Sequence, residues 1–148
     1  MNLTDLLKNR KSCRKYASVV VTSEIVDSVL WAGSRAPYAS GGPRRVIYSY
    51  VSQEDKKHMQ ECCHMQKYVG DCSVVFLVCG VESDIFLSSG NPKYIYDCAA
   101  SVMCMDLCAR EHGLSTCWIG HFSSDGVSSN FDIKGTPTMI LISGYPEI

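Results

Sequence analysis

The stretch Gly113-Leu114-Ser115-Thr116-Cys117-Trp118-Ile119-Gly120-His121-Phe122 carries the chain out of a helix, through a short strand and into an open turn. Upstream of it, Tyr94 to His112 bears small and apolar residues almost all round (Ala99, Ala100, Val102, Met103, Met105, Leu107, Ala109), the pattern of a buried helix. Gly113 stops that helix, because a C′ position favours a left-handed backbone. Thr116 to Ile119 reads as a strand. Gly120 ends it without a β-carbon, so a backbone N–H there can approach a ligand closely. This pairing of buried helix and strand forms the spine of the expected fold.

Working outward, Ser73 to Cys79 is continuously apolar, as in a central strand covered on both faces. Arg45 to Val51 is β-branched and aromatic and reads as another strand. Thr138 to Ser143 reads as a further one, with a short helical turn after Ser124. Leu3, Leu6 and Leu7 share one face of a helix over Leu3 to Lys8. Ser23 reads as the N-cap of a helix with Ile25, Val26, Val29 and Leu30 on its apolar side, ending near Gly33 because Pro37 follows soon after. Gln53 to Lys67 is polar and helix-compatible. No repeat, low-complexity tract or linker interrupts the order, which predicts one α+β domain over residues 1–148.

Composition narrows the function. With 148 residues and 46% hydrophobic content, the chain can bury one sizeable core. Charged residues make up 20% and nearly balance at a net charge of −1, so no global field draws the molecule to nucleic acid or an anionic membrane. Any anion binding must be local. The nine cysteines have no regular spacing and no CxxC pair, and Cys62-Cys63-His64 lacks a second ligand pair, so reduced thiols and no metal site are expected. The start, Met1-Asn2-Leu3-Thr4-Asp5, has no leader pattern, and no apolar run approaches the ~20 residues that span a bilayer. A soluble, cytoplasmic protein is the expectation.

Three segments carry candidate chemistry. Arg10-Lys11-Ser12-Cys13-Arg14-Lys15-Tyr16 concentrates cations and a hydroxyl that could take a phosphate bidentately, although charge runs usually mark a solvated surface. Ala36-Pro37-Tyr38-Ala39-Ser40-Gly41-Gly42 offers backbone amides and little bulk, enough for a planar ring to lie against it, or merely a helix-to-strand connection. It matches neither GxGxxG nor GxxxxGK[ST]. Gly120 could direct its N–H at a flat ring, or simply turn the chain. His121 reads as structural. Cys117 lies in an apolar strand without an activating partner, and no GxSxG elbow is present. Together the segments could hold a flat redox ring at one end and its phosphate at the other.

In this order and at these intervals, the segments resemble the nitroreductase family of FMN enzymes. Arg10-Lys11-Ser12-Cys13-Arg14-Lys15-Tyr16 is similar to the family's RRSxRxF opening, Ala36-Pro37-Tyr38-Ala39-Ser40 to its APS loop, and Gly113 to Gly120 to its GLGTCWIG segment. Asp97-Cys98-Ala99-Ala100 resembles the start of the preceding helix, and Gly144-Tyr145-Pro146 the closing GYP. The resemblance implies a three-layer α/β/α fold with a mixed, mainly antiparallel sheet, in homodimers whose interface builds both flavin sites. It further implies that Arg10, Lys11, Ser12 and Arg14 take the FMN phosphate and ribityl end, and that Pro37, Tyr38, Ala39, Ser40 and Gly41 line the isoalloxazine. Ile119, Gly120 and His121 would supply backbone contacts near N5 and O4, and Lys67 would correspond to a lysine near the pyrimidine edge.

The implied activity is two half-reactions at one site, with NAD(P)H as donor and a nitroaromatic, quinone or similar electron-poor molecule as acceptor. FMN does the chemistry, so no side chain is named as catalytic. Some positions depart from the family pattern. Gly41 and Pro43-Arg44-Arg45 stand where many members have Asn and then Gln-Pro-Trp, and Tyr38 replaces the loop serine. The short segment between Cys79 and Tyr94 implies an open pocket without the substrate-covering helices of larger members. The chain ends at Glu147-Ile148, where the family continues to another phosphate-gripping basic residue, which implies a weaker hold on FMN. These departures keep alternatives open: a flavin-binding or flavin-free dimeric sensor or carrier without turnover, or an FMN-dependent dehalogenase or peptide oxidase.

Overall fold

A computed structural model describes every residue from Met1 to Ile148. At its centre, β2 (Val74–Gly80) is buried along all seven residues. β1 (Arg45–Tyr50) pairs with one side of β2, β4 (Thr136–Gly144) with the other, and β3 (Ser115–Ile119) completes the order β1-β2-β4-β3. All three pairings are antiparallel, with Arg45 opposite Gly80 and Thr116 opposite Ser143. The parallel component is a single bridge between Ser12 and Thr116. The mainly antiparallel sheet thus agrees with expectation.

Period-two alternation along β2 sends its side chains into two cores. Val75, Leu77 and Cys79 pack with Met59, Val69 and Val127 beneath α3 (Gln53–Cys62), α4 (Lys67–Asp71) and α6 (Ser124–Asn130). Val74, Phe76 and Val78 pack on the opposite face with Val29, Val102 and Met105 from α2 (Ser23–Ser34) and α5 (Lys93–Glu111). The result is the three-layer α/β/α arrangement. Each fully buried side chain of the Phe76 or Leu77 kind stabilises it by about 1.5–3 kcal/mol relative to exposure.

Two boundaries differ from the sequence reading. Thr22, not Ser23, caps α2: its Oγ1 accepts from the Ile25 amide at 3.4 Å, and Ser23 is already helical. The helix ends at Ser34, near Gly33 as expected. A Cβ on Gly33 would sit 2.7 Å from Ile47 Cδ1 and 2.8 Å from Met105 Sδ, so this glycine lets α2 approach β1 and α5 rather than ending the helix. The polar stretch after Gln53 divides into α3 and α4 around His64 and Met65, both left-handed at φ 54° and 62°. α5 ends at Glu111 and Gly113 follows at φ 82°, as expected. Lying across the sheet, α5 touches all four strands.

Candidate functional site

The basic segment leaves α1 (Leu3–Asn9) and lies down beside β3. The Ser12–Thr116 bridge and a 2.8 Å hydrogen bond from the Cys13 amide to the Thr116 carbonyl fix it there, a few residues before Gly120. Arg10, Lys11, Ser12, Arg14 and Lys15 are exposed. The chain's three ion pairs, Arg44–Glu82, Lys67–Asp71 and Arg110–Asp106, include none of these cations. Their charge is therefore available to an anion. Lys67, by contrast, is held 2.6 Å from Asp71.

A chain of contacts runs from Arg14 to His121, the residue after Gly120. The Arg14 guanidinium lies 5.7 Å from the centre of the Tyr68 ring, a cation–π distance, and Tyr68 raises the arginine's pKa further. Tyr68 Oη donates to Gln66 Oε1 at 2.5 Å, and Gln66 Nε2 donates to the His121 carbonyl at 2.8 Å. The rings of His121 and His64 lie 4.1 Å apart between centroids, tilted by 32°. Nothing in the sequence signalled His64, because only the two left-handed residues in the α3–α4 turn carry it over His121. Gly120 itself is exposed, and a Cβ built there meets nothing within 4 Å. Beside Arg14, a cleft of about 1000 Å³ opens among Tyr68, Lys67, Lys56, Ser73 and Glu147, while neither Gly120 nor residues 37–41 line it.

Beneath the segment sits a buried network. Asp106 is 0% exposed. Its Oδ1 accepts from Arg110 Nε at 2.7 Å and Thr116 Oγ1 at 2.5 Å, and its Oδ2 accepts from Trp118 Nε1 at 2.9 Å. Arg110 Nη2 continues to the Lys11 carbonyl at 2.9 Å and Thr116 Oγ1 at 2.6 Å. Burial raises the Cys117 thiol, with nearby Arg14 pulling the other way, so the thiol stays neutral and inert as its place in an apolar strand suggested.

The loop from Ala36 to Gly42 lies elsewhere. It precedes β1, at the far edge of the sheet from β3. With β2 and β4 between them, the two edges are three strand spacings or roughly 14 Å apart. One chain therefore seats Ser12 and Cys13 beside Thr116, on the strand that leads to Ile119, Gly120 and His121, with Arg10 and Lys11 toward the start of that strand and Arg14 linked to His121 through Tyr68 and Gln66, while Pro37, Tyr38, Ala39, Ser40 and Gly41 lie at the opposite edge of the sheet.

This loop is held from below. Asp97, 1% exposed, accepts from the Ala39 amide through Oδ1 and the Arg44 amide through Oδ2, each at 2.9 Å. Arg45, only 9% exposed, donates to the carbonyls of Ala36 at 2.6 Å, Pro37 at 3.0 Å and Asp97 at 3.1 Å. Lys93 Nζ adds a bond to the Ser40 carbonyl at 3.1 Å. Gly41 and Gly42 adopt φ of 95° and 101°, which supply the turn that L-residues rarely enter. Pro37, Tyr38, Ser40 and Gly41 remain exposed above these anchors. Sequence reasoning treated Asp97 only as part of a helix start and left Arg45, Asp106 and Arg110 unassigned.

No family model matches the chain. A protein of Methanothermobacter thermautotrophicus that carries the name NADH dehydrogenase/NAD(P)H nitroreductase is 24% identical over an alignment 155 positions long, covering 99% of this chain and 78% of that protein. Among solved structures, a nitroreductase family protein from Clostridium difficile 630 superposes with a TM-score of 0.88 at 25% identity, over 100% of this chain and 86% of that one. An FMN-dependent nitroreductase from Clostridium difficile R20291 superposes with a TM-score of 0.86 at 19% identity, over 99% and 88%. The chain thus has the nitroreductase fold and resembles proteins of the nitroreductase family along nearly its whole length.

Proposed function

We propose that this chain is an FMN-dependent oxidoreductase of the nitroreductase kind, a single FMN-binding domain that takes electrons from NAD(P)H and passes them to a nitroaromatic, quinone or similar flat acceptor. The observation that carries the reading is the seating of Arg10, Lys11, Ser12 and Arg14 along β3, the strand that leads to Gly120, with no carboxylate partner. The names of its relatives, an FMN-dependent nitroreductase and an NADH dehydrogenase/NAD(P)H nitroreductase, point the same way.

The residues present fit the group. Free guanidinium and ammonium groups suit a phosphate, and the open space over Gly120 leaves its backbone clear for a planar ring. When bound, FMN would supply a ring that accepts hydride from one substrate and gives it to the next. Arg10, Lys11, Ser12 and Arg14 would anchor it, and the backbone from Ile119 to His121 would orient the ring and favour its reduced, more electron-rich form. Pro37 to Gly41 of a second copy would close the ring from the other side, since the roughly 14 Å between sheet edges keeps a chain's own loop away. A homodimer with two such sites is the assembly this reading requires. The reading puts this chemistry on small molecules in the cytoplasm; no helix is long and apolar enough to cross a membrane.

Purification with added FMN tests the reading. A yellow protein that NADH or NADPH bleaches without oxygen, and that a quinone re-oxidises, supports the enzyme. A yellow protein inert to both nucleotides is a flavin binder without turnover, and a colourless one overturns the proposal.

A further inference from the structure

α5 carries two buried aspartates nine positions apart, Asp97 and Asp106. Nine residues make two and a half helical turns, so the two carboxylates leave opposite sides of the helix, about 13 Å apart along its axis. Each reaches a different part of the site. Asp97 gathers the two ends of the loop from Ala39 to Arg44, while Asp106 gathers Arg110, Thr116 and Trp118, and Arg110 in turn holds the Lys11 carbonyl. Both carboxylates are spent on these contacts, for none of their hydrogen bonds serves α5 apart from the one to Arg110.

Resting on the flavin reading above, we infer that Asp97 and Asp106 are positioning residues that set the two halves of the site separately: Asp106 the phosphate-gripping segment, Asp97 the ring-receiving loop. Neither touches the flavin. Asp106 acts through Arg110 and Thr116, which seat Lys11 to Cys13 against β3. Asp97 acts through the amides of Ala39 and Arg44, which close the loop into a turn with Ser40 and Gly41 outward. A carboxylate is needed at each place because both of its oxygens accept. An asparagine would turn an NH2 toward one existing donor and leave that donor buried without a partner.

The halves separate experimentally because riboflavin has the ring and lacks the phosphate. In Asp106→Asn, affinity for FMN should fall about tenfold or more while affinity for riboflavin changes little, so the preference for FMN shrinks. In Asp97→Asn, both affinities should fall by a similar factor, preserving the preference. The absorption spectrum of the flavin that still binds should also shift, because its ring environment has changed. A purely structural role would lower the folded fraction yet leave the spectrum of bound flavin and the FMN-to-riboflavin ratio as in the parent.

Should Asp106→Asn not fold, Thr116→Val removes one link without removing charge and should reduce the FMN preference in the same direction. For Asp97, amide hydrogen exchange in the unaltered protein must show Ala39 and Arg44 protected. An unchanged ratio in the Asp106 or Thr116 variant, an unshifted spectrum in the Asp97 variant, or rapid exchange at both amides would overturn the inference while leaving the flavin reading standing. A parent protein that binds neither FMN nor riboflavin would remove both.

Discussion

The segment along β3 and the loop before β1 are both anchored from below by a buried carboxylate and arginine, but they differ in what they expose. At β3 the exposed groups are cations without carboxylate partners, and the order comes from a strand-like backbone bridge to Thr116 together with the Asp106–Arg110 pair that reaches the Lys11 carbonyl. Before β1 the exposed groups are neutral, and the order comes from buried charge: Asp97 grips amides and Arg45 grips carbonyls from below. The first region leaves its surface charge free. The second has its charge only below the surface. The contrast suits the two ends of a flavin, a charged phosphate and an uncharged ring, and it explains why neither region resembles the other in sequence.

High pH should break the comparison most completely, because it attacks the core beneath both regions. Burial pushes Cys63, Cys72 and Cys98 up to about 12 and Cys79 up to about 11. These thiols stay protonated in the folded chain after the unfolded chain has begun to lose its protons near 9. The unfolded state therefore binds fewer protons, and stability falls as pH rises from about 9 toward 11, by up to about 1.4 kcal/mol per thiol per pH unit. Urea midpoints followed by circular dichroism at pH 7.5, 9 and 10.5 should decline steeply at the top of the range. A flat profile would mean that the thiols are not shielded as the fold implies.

Next in size, Arg45→Ala should destabilise the protein by about 3 kcal/mol, since three carbonyls, those of Ala36 and Asp97 in buried bonds, lose their donor. Its effect should be concentrated in the loop, with faster amide exchange at Ala39 and Arg44 and little change at Cys13. Arg14→Ala should do the reverse: the thermal midpoint stays within a degree or two of the parent, while FMN affinity drops roughly 10- to 100-fold. Fluorescence titration with FMN would show it, and cofactor retained at parental affinity would count against Arg14 as a phosphate anchor. The smallest change belongs to Thr22→Ala, which removes the cap of α2 and should cost about 1 kcal/mol without altering flavin binding. A selective loss of FMN in that variant would mean that α2 communicates with the site.

Much of the architecture could be read along the chain. The unbroken apolar run of β2 declared a strand buried on both faces, the all-round apolar pattern of α5 declared a buried helix, and Gly113 marked its end. Local patterning placed the end of α2 to within a residue but its cap one position late, because Thr22 and Ser23 are equally good caps in isolation. The candidate site was legible where it depends on exposed residue types and illegible where it depends on buried partners. Arg10 to Arg14 advertised their charge, whereas Asp97, Asp106, Arg45 and Arg110 looked like ordinary polar positions.

What the sequence determined alone was therefore most of the elements, the two glycine-bearing turns and the cationic segment, all of which follow from side chains a few residues apart. The tertiary structure decided which halves of the site meet. The order β1-β2-β4-β3 puts the loop from Pro37 to Gly41 and the turn at Gly120 on opposite edges, and it brings Asp97 to Arg44, and Arg110 to Lys11, across long stretches of chain. Such pairings depend on how the sheet is assembled, and hydrogen bonds between distant groups leave no periodic trace in the residues that make them.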